Sequence, residues 1–452
     1  MKVARIMTMV AMLLLSCAVQ AETKQVTFNV RSWDDVNKEL ITTTRTETCT
    51  IPKEQSNGWG YYWLTLGETG KTTYYVAVGQ ERFVNVKVYG DVHLILADDA
   101  RFICWGGINV EKRNGASLSI YSESDGPNQG RLYANFDIKR RQAGIGPYGE
   151  EDGGGITIHG GYVNAAGSRA AGIGAAGFSI AKNKASQPGD IKIYGGTVIA
   201  QGGDDAAGIG GGRGYRASRA GVTLNSSGGN VTIYGGNVTA TGGDNAPGIG
   251  DGANDVILYP DAWSSSAKSA VIRIHGGTVN AQGGRRAAGI GAGSTERRIV
   301  SRFDRVYIYG GTVNAKGGKD AAGIGGGEDG NGGELYVYGG RVRAEGNGNG
   351  AGIGGGDRNY RGGDYYSDME RGAGANVYIH GGDVTAIAGA KCKARKPKSG
   401  SAIGCGMDLG DKDTPDRAHD LEIASNMKVT AGDAEDNIER TFTWSERVNA
   451  CR

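Results

Sequence analysis

Apolar and polar residues alternate along short stretches that recur through most of the chain, and each stretch closes on the same small residues. In one copy, from Val306 to Gly325, the block reads VYIYGGTVNAKGGKDAAGIG; copies of 20 residues also occupy 191–210, 231–250, 272–291 and 335–354. A 19-residue copy lies at 156–174, and a longer one at 377–404 carries an insertion running from Lys391 to Lys398. Between copies the chain spends 9 to 22 residues on variable segments. Period-two alternation predicts strands with one set of side chains turned inward. A fixed core joined by variable returns predicts one solenoid coil per repeat.

Each block divides into three short strands. The first reads apolar, any, apolar, His or Tyr, Gly, Gly, as in Ile158-His159-Gly160-Gly161 and Ile193-Tyr194-Gly195-Gly196. The glycine pair falls where a coil must turn sharply, because glycine alone reaches positive φ without steric cost. A second strand such as Thr278-Val279-Asn280-Ala281 follows, then a variable loop, then Ala-Gly-Ile-Gly as a third strand whose small residues let coils approach. Stacking in parallel at about 4.8 Å per coil would turn equivalent residues into columns. Three columns are expected: an isoleucine and valine core, the glycine corners, and a row of His159, Tyr194, Tyr234, His275, Tyr309, Tyr338 and His380. The fold class expected is all-β, a single-stranded right-handed parallel β-helix, with the hand taken from the general rule for parallel crossovers.

The rest of the chain frames this solenoid. Lys2, Arg5, the apolar run Val10–Leu15 and the sequence Val19-Gln20-Ala21 predict a signal peptide over 1–21. A rival reading cleaves before Cys17, since Leu14-Leu15-Ser16-Cys17 resembles a lipobox. Both export the chain, either as a secreted or as a cell-surface protein, and no later stretch approaches the roughly 18 apolar residues of a membrane helix. Residues 22–82 are expected to form an N-terminal cap region. In it, 32–41 (SWDDVNKELI) reads as a short amphipathic helix with Ser32 as N-cap and Asp35 three positions on. Such a helix would cover the unpaired backbone of the first coil. The solenoid is assigned to 83–432, with degenerate early coils from Phe83 to Tyr121 and a last partial coil near Leu421–Ala431; 433–452 is a polar, aperiodic tail.

Composition sharpens the picture in three ways. Glycine contributes 82 of 452 residues against 8 prolines, without the every-third spacing of collagen, which leaves a repeat fold. Once Lys2 and Arg5 leave with the signal, 48 basic residues face 48 acidic ones, so no nucleic-acid partner is favoured. Cleavage after Ala21 leaves five cysteines, Cys49, Cys104, Cys392, Cys405 and Cys451, and export permits disulfides. Cys392 and Cys405 flank the insertion at 391–398 and would staple it. No Cys-x-x-Cys or paired His/Cys spacing points to zinc.

The run Val92–Gly107, the phrases Gly115–Tyr121 and Gly130–Ala134, and the recurring AAGIG resemble Gly-rich surface proteins of gut bacteria. The same phrases are similar to a β-helical carbohydrate-binding domain that takes acidic plant polysaccharides with calcium. The likeness covers roughly 83–432 and implies fold far more than ligand, because its phrases are corner and core residues. The family's calcium ligands find no matching acidic motif in this chain.

Several features carry candidate chemistry. A His/Tyr row facing outward offers flat side chains and hydroxyls to a polysaccharide or host glycan; facing a corner, it only fills space. Loop acids Asp204, Asp205, Asp244 and Asp251 are the calcium candidates, but Arg285, Arg286 and Lys319 interrupt any regular acidic ladder. The insertion Lys391–Lys398 carries five positive charges in eight residues, and Tyr360, Tyr365 and Tyr366 lie near Arg358 and Arg361, giving two further contact patches. A lyase needs clustered aspartates beside a base, and a hydrolase needs two facing carboxylates. The acids here fall in unlike loops, and no Gly-x-Ser-x-Gly elbow occurs. The expectation is therefore a non-catalytic, extracellular carbohydrate-binding or adhesive module. The alternatives are a stalk or an adhesin for a host surface protein, and then a polysaccharide lyase.

Overall fold

The computed structural model of the chain describes residues 21–56, 62–135, 142–179, 184–216, 223–224, 227–253, 270–294, 305–357, 374–389, 402–404, 421–424, 428–433 and 440–441. Among the described residues, 33 strands join into one sheet whose pairings are overwhelmingly parallel between successive coils, and two short antiparallel pairs stand apart from it. Three stacks run side by side. The first carries Ser117–Ser122, Gly155–Ile158, Ile191–Ile193, Asn230–Ile233, Val271–Ile274 and Arg305–Ile308. The second carries Tyr162–Ala166, Thr197–Gln201, Asn237–Thr241, Thr278–Gln282 and Thr312–Lys316. The third is the Ile-Gly pair that closes each block, from Ile145 through Ile173, Ile209, Ile249, Ile290 and Ile324 to Ile353 and Ile403.

The register is residue for residue. Ile158 pairs with Ile193, Ile193 with Ile233, Ile233 with Ile274 and Ile274 with Ile308, and all five are fully buried. Ile209, Ile249, Ile290 and Ile324 close the core from the third stack. Alternation therefore did place one aliphatic set in a continuous interior, at roughly 1.5–3 kcal/mol per fully buried side chain. Two glycine positions show why the corners admit nothing larger. Gly196, with φ +85°, would set a Cβ 2.4 Å from the Gly161 carbonyl oxygen of the preceding coil. Gly250, with φ +141°, would set one 1.9 Å from the Gly291 oxygen of the next.

Parallel pairing begins earlier in the chain than the block itself. Tyr62–Ala77 lies parallel to Asn85–Leu96, and Asp91–Leu96 in turn pairs with Ser117–Ser122. At the far end Leu421–Ile423 and Lys428–Asp433 add one more coil, and Arg440–Thr441 pairs antiparallel with the latter.

The N-terminal helix expected over 32–41 does not form. Thr23–Asp34 and Glu39–Thr50 make an antiparallel β-hairpin instead, pairing from Thr23 with Thr50 to Asp34 with Glu39. The polar residues that resembled a helix start build its turn. Asp34 Oδ1 accepts the amides of Val36 at 2.8 Å and Asn37 at 3.2 Å, an Asx arrangement, and Lys38 sits at φ 58°. Past the turn, Ile41-Thr42-Thr43-Thr44 is a β-branched run that prefers extended backbone.

Candidate functional site: an aromatic column under a hairpin

The residue that follows each first-stack strand is held by one backbone hydrogen bond to the coil before it. The amides of Tyr194, Tyr234, His275 and Tyr309 donate to the carbonyls of Ile158, Ile193, Ile233 and Ile274, at 2.7–2.8 Å. That fixed seating stacks the seven expected rings into one column. Centroids step by 5.1 Å from His159 to Tyr194, 4.6 Å to Tyr234, 4.8 Å to His275, 4.6 Å to Tyr309, 5.2 Å to Tyr338 and 5.5 Å to His380, with rings 8–23° from parallel.

The column is longer than the repeat implied. Tyr121 stacks on His159 at 4.4 Å, His93 on Tyr121 at 5.6 Å and Tyr74 on His93 at 4.5 Å, so ten rings run without a break. His93 aligns with Ser119 in register and reaches its stacking partner by leaning one alternate position across. Its imidazole joins Tyr121 Oη at 2.9 Å through Nδ1 and Asp91 Oδ2 at 3.1 Å through Nε2.

Two properties decide what this column can touch. The first is orientation: the rings lie face to face, so each interior face is taken by a neighbour and the outward surface is ring edges with phenol hydroxyls. Among the described residues the stack ends at His380, because Ala424 takes the equivalent position in the coil after it. The second is the hairpin. Phe28 meets Tyr121 edge-on at 4.9 Å, and Arg45 lies 5.0 Å over Tyr74. The Arg31 guanidinium holds Asp125 and the His159 carbonyl, and the Arg31 amide is 3.2 Å from His159 Nδ1. Trp33 lies against Tyr234 at 5.3 Å and against His275 at 4.7 Å. His159 is consequently buried, and burial pushes its pKa down to about 4. Tyr194, Tyr234 and His275 are half-buried, and burial raises the two phenols and lowers the imidazole. Beyond the turn, Tyr309 (41% exposed), Tyr338 (45%) and His380 stand open.

A second, shorter column flanks this open end. Tyr307, Tyr336 and Tyr378 occupy equivalent positions two residues before the main row, stacked at 5.0 and 4.7 Å. Arg273 caps it 5.6 Å from the Tyr307 ring. Tyr336 Oη donates to Glu334 Oε2 at 3.2 Å, and the same oxygen takes Arg305 Nε at 2.8 Å. The three residues escaped the repeat pattern because only three coils carry them. Their signal was alternation itself: Tyr307-Ile308-Tyr309, Tyr336-Val337-Tyr338 and Tyr378-Ile379-His380 put both rings on one face.

The loop acids do not converge. Asp204 pairs with Arg169 at 3.8 Å; Asp205 takes Arg213 at 3.1 Å and the Asn245 amide at 2.6 Å. Asp251 is buried, with Oδ1 accepting the amides of Gly228 and Ala270. Asp244 is exposed. Among the described residues, no three His, Cys, Asp or Glu side chains gather for a metal. The four acids thus do not fit a shared calcium ion. Cys49 and Cys104 are free and buried. The expected Cys392–Cys405 staple, Cys17, the basic insertion, and Tyr360, Tyr365 and Tyr366 lie outside the described residues.

Three parallel stacks closed around one aliphatic core, with glycine corners and a ring column, define a right-handed parallel β-helix. Seven segments match the family model described as a β-helix repeat: residues 156–177, 191–213, 231–253, 272–294, 306–328, 335–357 and 377–407. No curated protein and no solved structure matches the chain significantly. No helix among the described residues is long and apolar enough to cross a membrane.

Proposed function

We propose that this β-helix is a non-catalytic, extracellular adhesive module whose working surface is the exposed row of Tyr309, Tyr338 and His380, flanked by the half-buried Tyr307 and Tyr336. Export rests on the leader pattern at 1–21. The observation that carries the ligand class is the docking of Trp33 on Tyr234 and His275. Trp33 lies tilted against the two rings, at 32° to Tyr234 and 55° to His275, rather than flat on a ring face, an arrangement aromatic pairs favour over a face-to-face sandwich. The chain's own hairpin therefore exemplifies what such a surface holds: an extended protein strand presenting an aromatic side chain. The open face continues the same column with the same chemistry.

A glycan is the second reading, favoured by the exposed His380 at the end of the stack. A sugar would stack there and hydrogen-bond the phenol row, rather than lie along ring faces that are already paired. One experiment separates the two. Full-length mature protein is screened against a glycan array and an array of Trp- and Tyr-bearing β-strand peptides, alongside Tyr309→Ala, Tyr336→Ala and His380→Ala. Peptide binding lost at least tenfold in Tyr309→Ala and Tyr336→Ala supports the strand reading. Glycan binding lost in His380→Ala supports the second. Binding indifferent to all three variants removes the open face as the working surface.

A further inference from the structure

The hairpin is anchored unevenly. Its root is part of the core: Val26, Phe28 and Cys49 are buried, Thr50 pairs with Tyr75, and the Ile51 amide donates to Glu22. Its distal half, from Arg31 to Leu40, sits on the solenoid through few contacts. Arg31 is its one firm anchor, with amide and carbonyl both at His159 Nδ1 and the guanidinium on the His159 carbonyl and Asp125; beyond it only the Trp33 ring and Leu40 over the Gly235 corner touch the coils. The outer strand is exposed along most of its length, and Val36 at the tip is 88% exposed.

One further detail marks this half as a poor fit in its closed position. Trp33 Nε1 is buried with no hydrogen-bond partner, a desolvated donor that regains its bond once released to water. Few apolar contacts and an uncompensated donor place a segment at the low-stability end of local opening. What it covers is not ordinary core but three more rungs, Tyr194, Tyr234 and His275, continuous with Tyr309.

We infer that the distal half of the hairpin, residues 31–40, is a displaceable flap that occupies the column in cis, and that its release extends the docking face of Tyr309, Tyr338 and His380 inward by Tyr234, Tyr194 and His275. The inference rests on the proposed working surface, and it assigns that surface a built-in competitor. A partner strand longer than the open face replaces Trp33 with its own aromatic residue. The hinge is the middle of the hairpin, between the buried Phe28 and the Arg31 contacts, so the root stays folded throughout.

The test needs no partner. Hydrogen exchange of the full chain, read by mass spectrometry, compares the paired amides around Arg31–Trp33 and Ile41–Thr42 with those around Val26–Phe28 and Glu47–Cys49. Exchange at least a hundredfold faster in the distal set is expected. Tyrosine nitration with tetranitromethane, mapped by peptide mass, supplies the second arm. Trp33→Ala, and the milder Leu40→Ala, should raise modification of Tyr194 and Tyr234 at least fivefold while Tyr162 stays unchanged. Equal protection of root and tip, or nitration of Tyr194 and Tyr234 unmoved by both variants, overturns the flap. A flap that opens while strand peptides fail to bind refutes the proposed function instead.

Discussion

Acidification to about pH 5 is expected to weaken the protein at one ring of the column. His159 is 8% exposed, sealed between Tyr121 at 4.4 Å and Tyr194 at 5.1 Å, and burial depresses its pKa to about 4 from an ordinary 6.5, against a smaller opposing pull from the Arg31 backbone. Between those two values the unfolded chain binds a proton that the folded chain refuses. Stability therefore falls as pH drops through the ordinary value towards the depressed one. At 1.36 kcal/mol per unit, the loss comes to about 2 kcal/mol by pH 5 and about 3 kcal/mol once both states are protonated. Two acids, the buried Asp357 and the half-buried Glu81, work in the opposite direction. Burial raises Asp357 to about 6 and Glu81 to about 7, so their folded forms gain protons, and stability, as pH falls. The raw pH profile mixes these contributions, and the comparison with His159→Phe isolates one of them. Phenylalanine keeps a flat ring in the stack and cannot titrate. Urea unfolding of both proteins at about pH 7 and about pH 5, with equal m-values, should show wild type losing about 2 kcal/mol more than the variant. Identical pH dependence would mean that His159 is not held neutral by the hairpin and its neighbours.

Other outcomes follow from the corners and the thiols. Gly250→Ala forces a Cβ to 1.9 Å from the Gly291 oxygen at φ +141°, so it must push adjacent coils apart; a loss of at least about 2 kcal/mol in urea unfolding is expected, and a near-neutral result would contradict the close packing. Cys49 and Cys104 are fully buried, and burial raises their thiols to about 11 and about 12. Iodoacetamide should leave both unmodified in the native chain and alkylate both in urea; native labelling of Cys49 would show that the hairpin root opens as well as the tip.

The solenoid was legible because its physics is local and repeated. Ile193, Ile233 and Ile274 each sit two residues from another inward side chain and shortly before Gly-Gly, and any coil needs that pattern. The column followed from the same register. What could not be read was how the rings turn. Sequence places Tyr194 above His159, but only packing decides that they lie face to face with edges outward, and the proposed preference for an aromatic strand over a sugar's flank rests on that orientation. The hairpin was hidden for a different reason. Ser32, Asp35 and the apolar Val36 mimic a helix start, while the competing signal, Asp34 folding back on Val36 and Asn37, is chemistry that a turn and an N-cap share. Tyr74, His93 and Tyr121 were missed because their coils lack the Gly-Gly mark, and His93 joins the stack from a neighbouring register position.

The variable segments of 9 to 22 residues leave the coil mostly at one corner, between an Ile-Gly pair and the next first-stack strand. Since the 20-residue blocks pair in register from Ile193 to Ile308, duplicating one of them with its segment would lengthen the molecule by one turn and add one ring to the stack. Reach and valency in such an architecture are thus adjustable by gene duplication alone, in whole-turn increments, without renegotiating the interior.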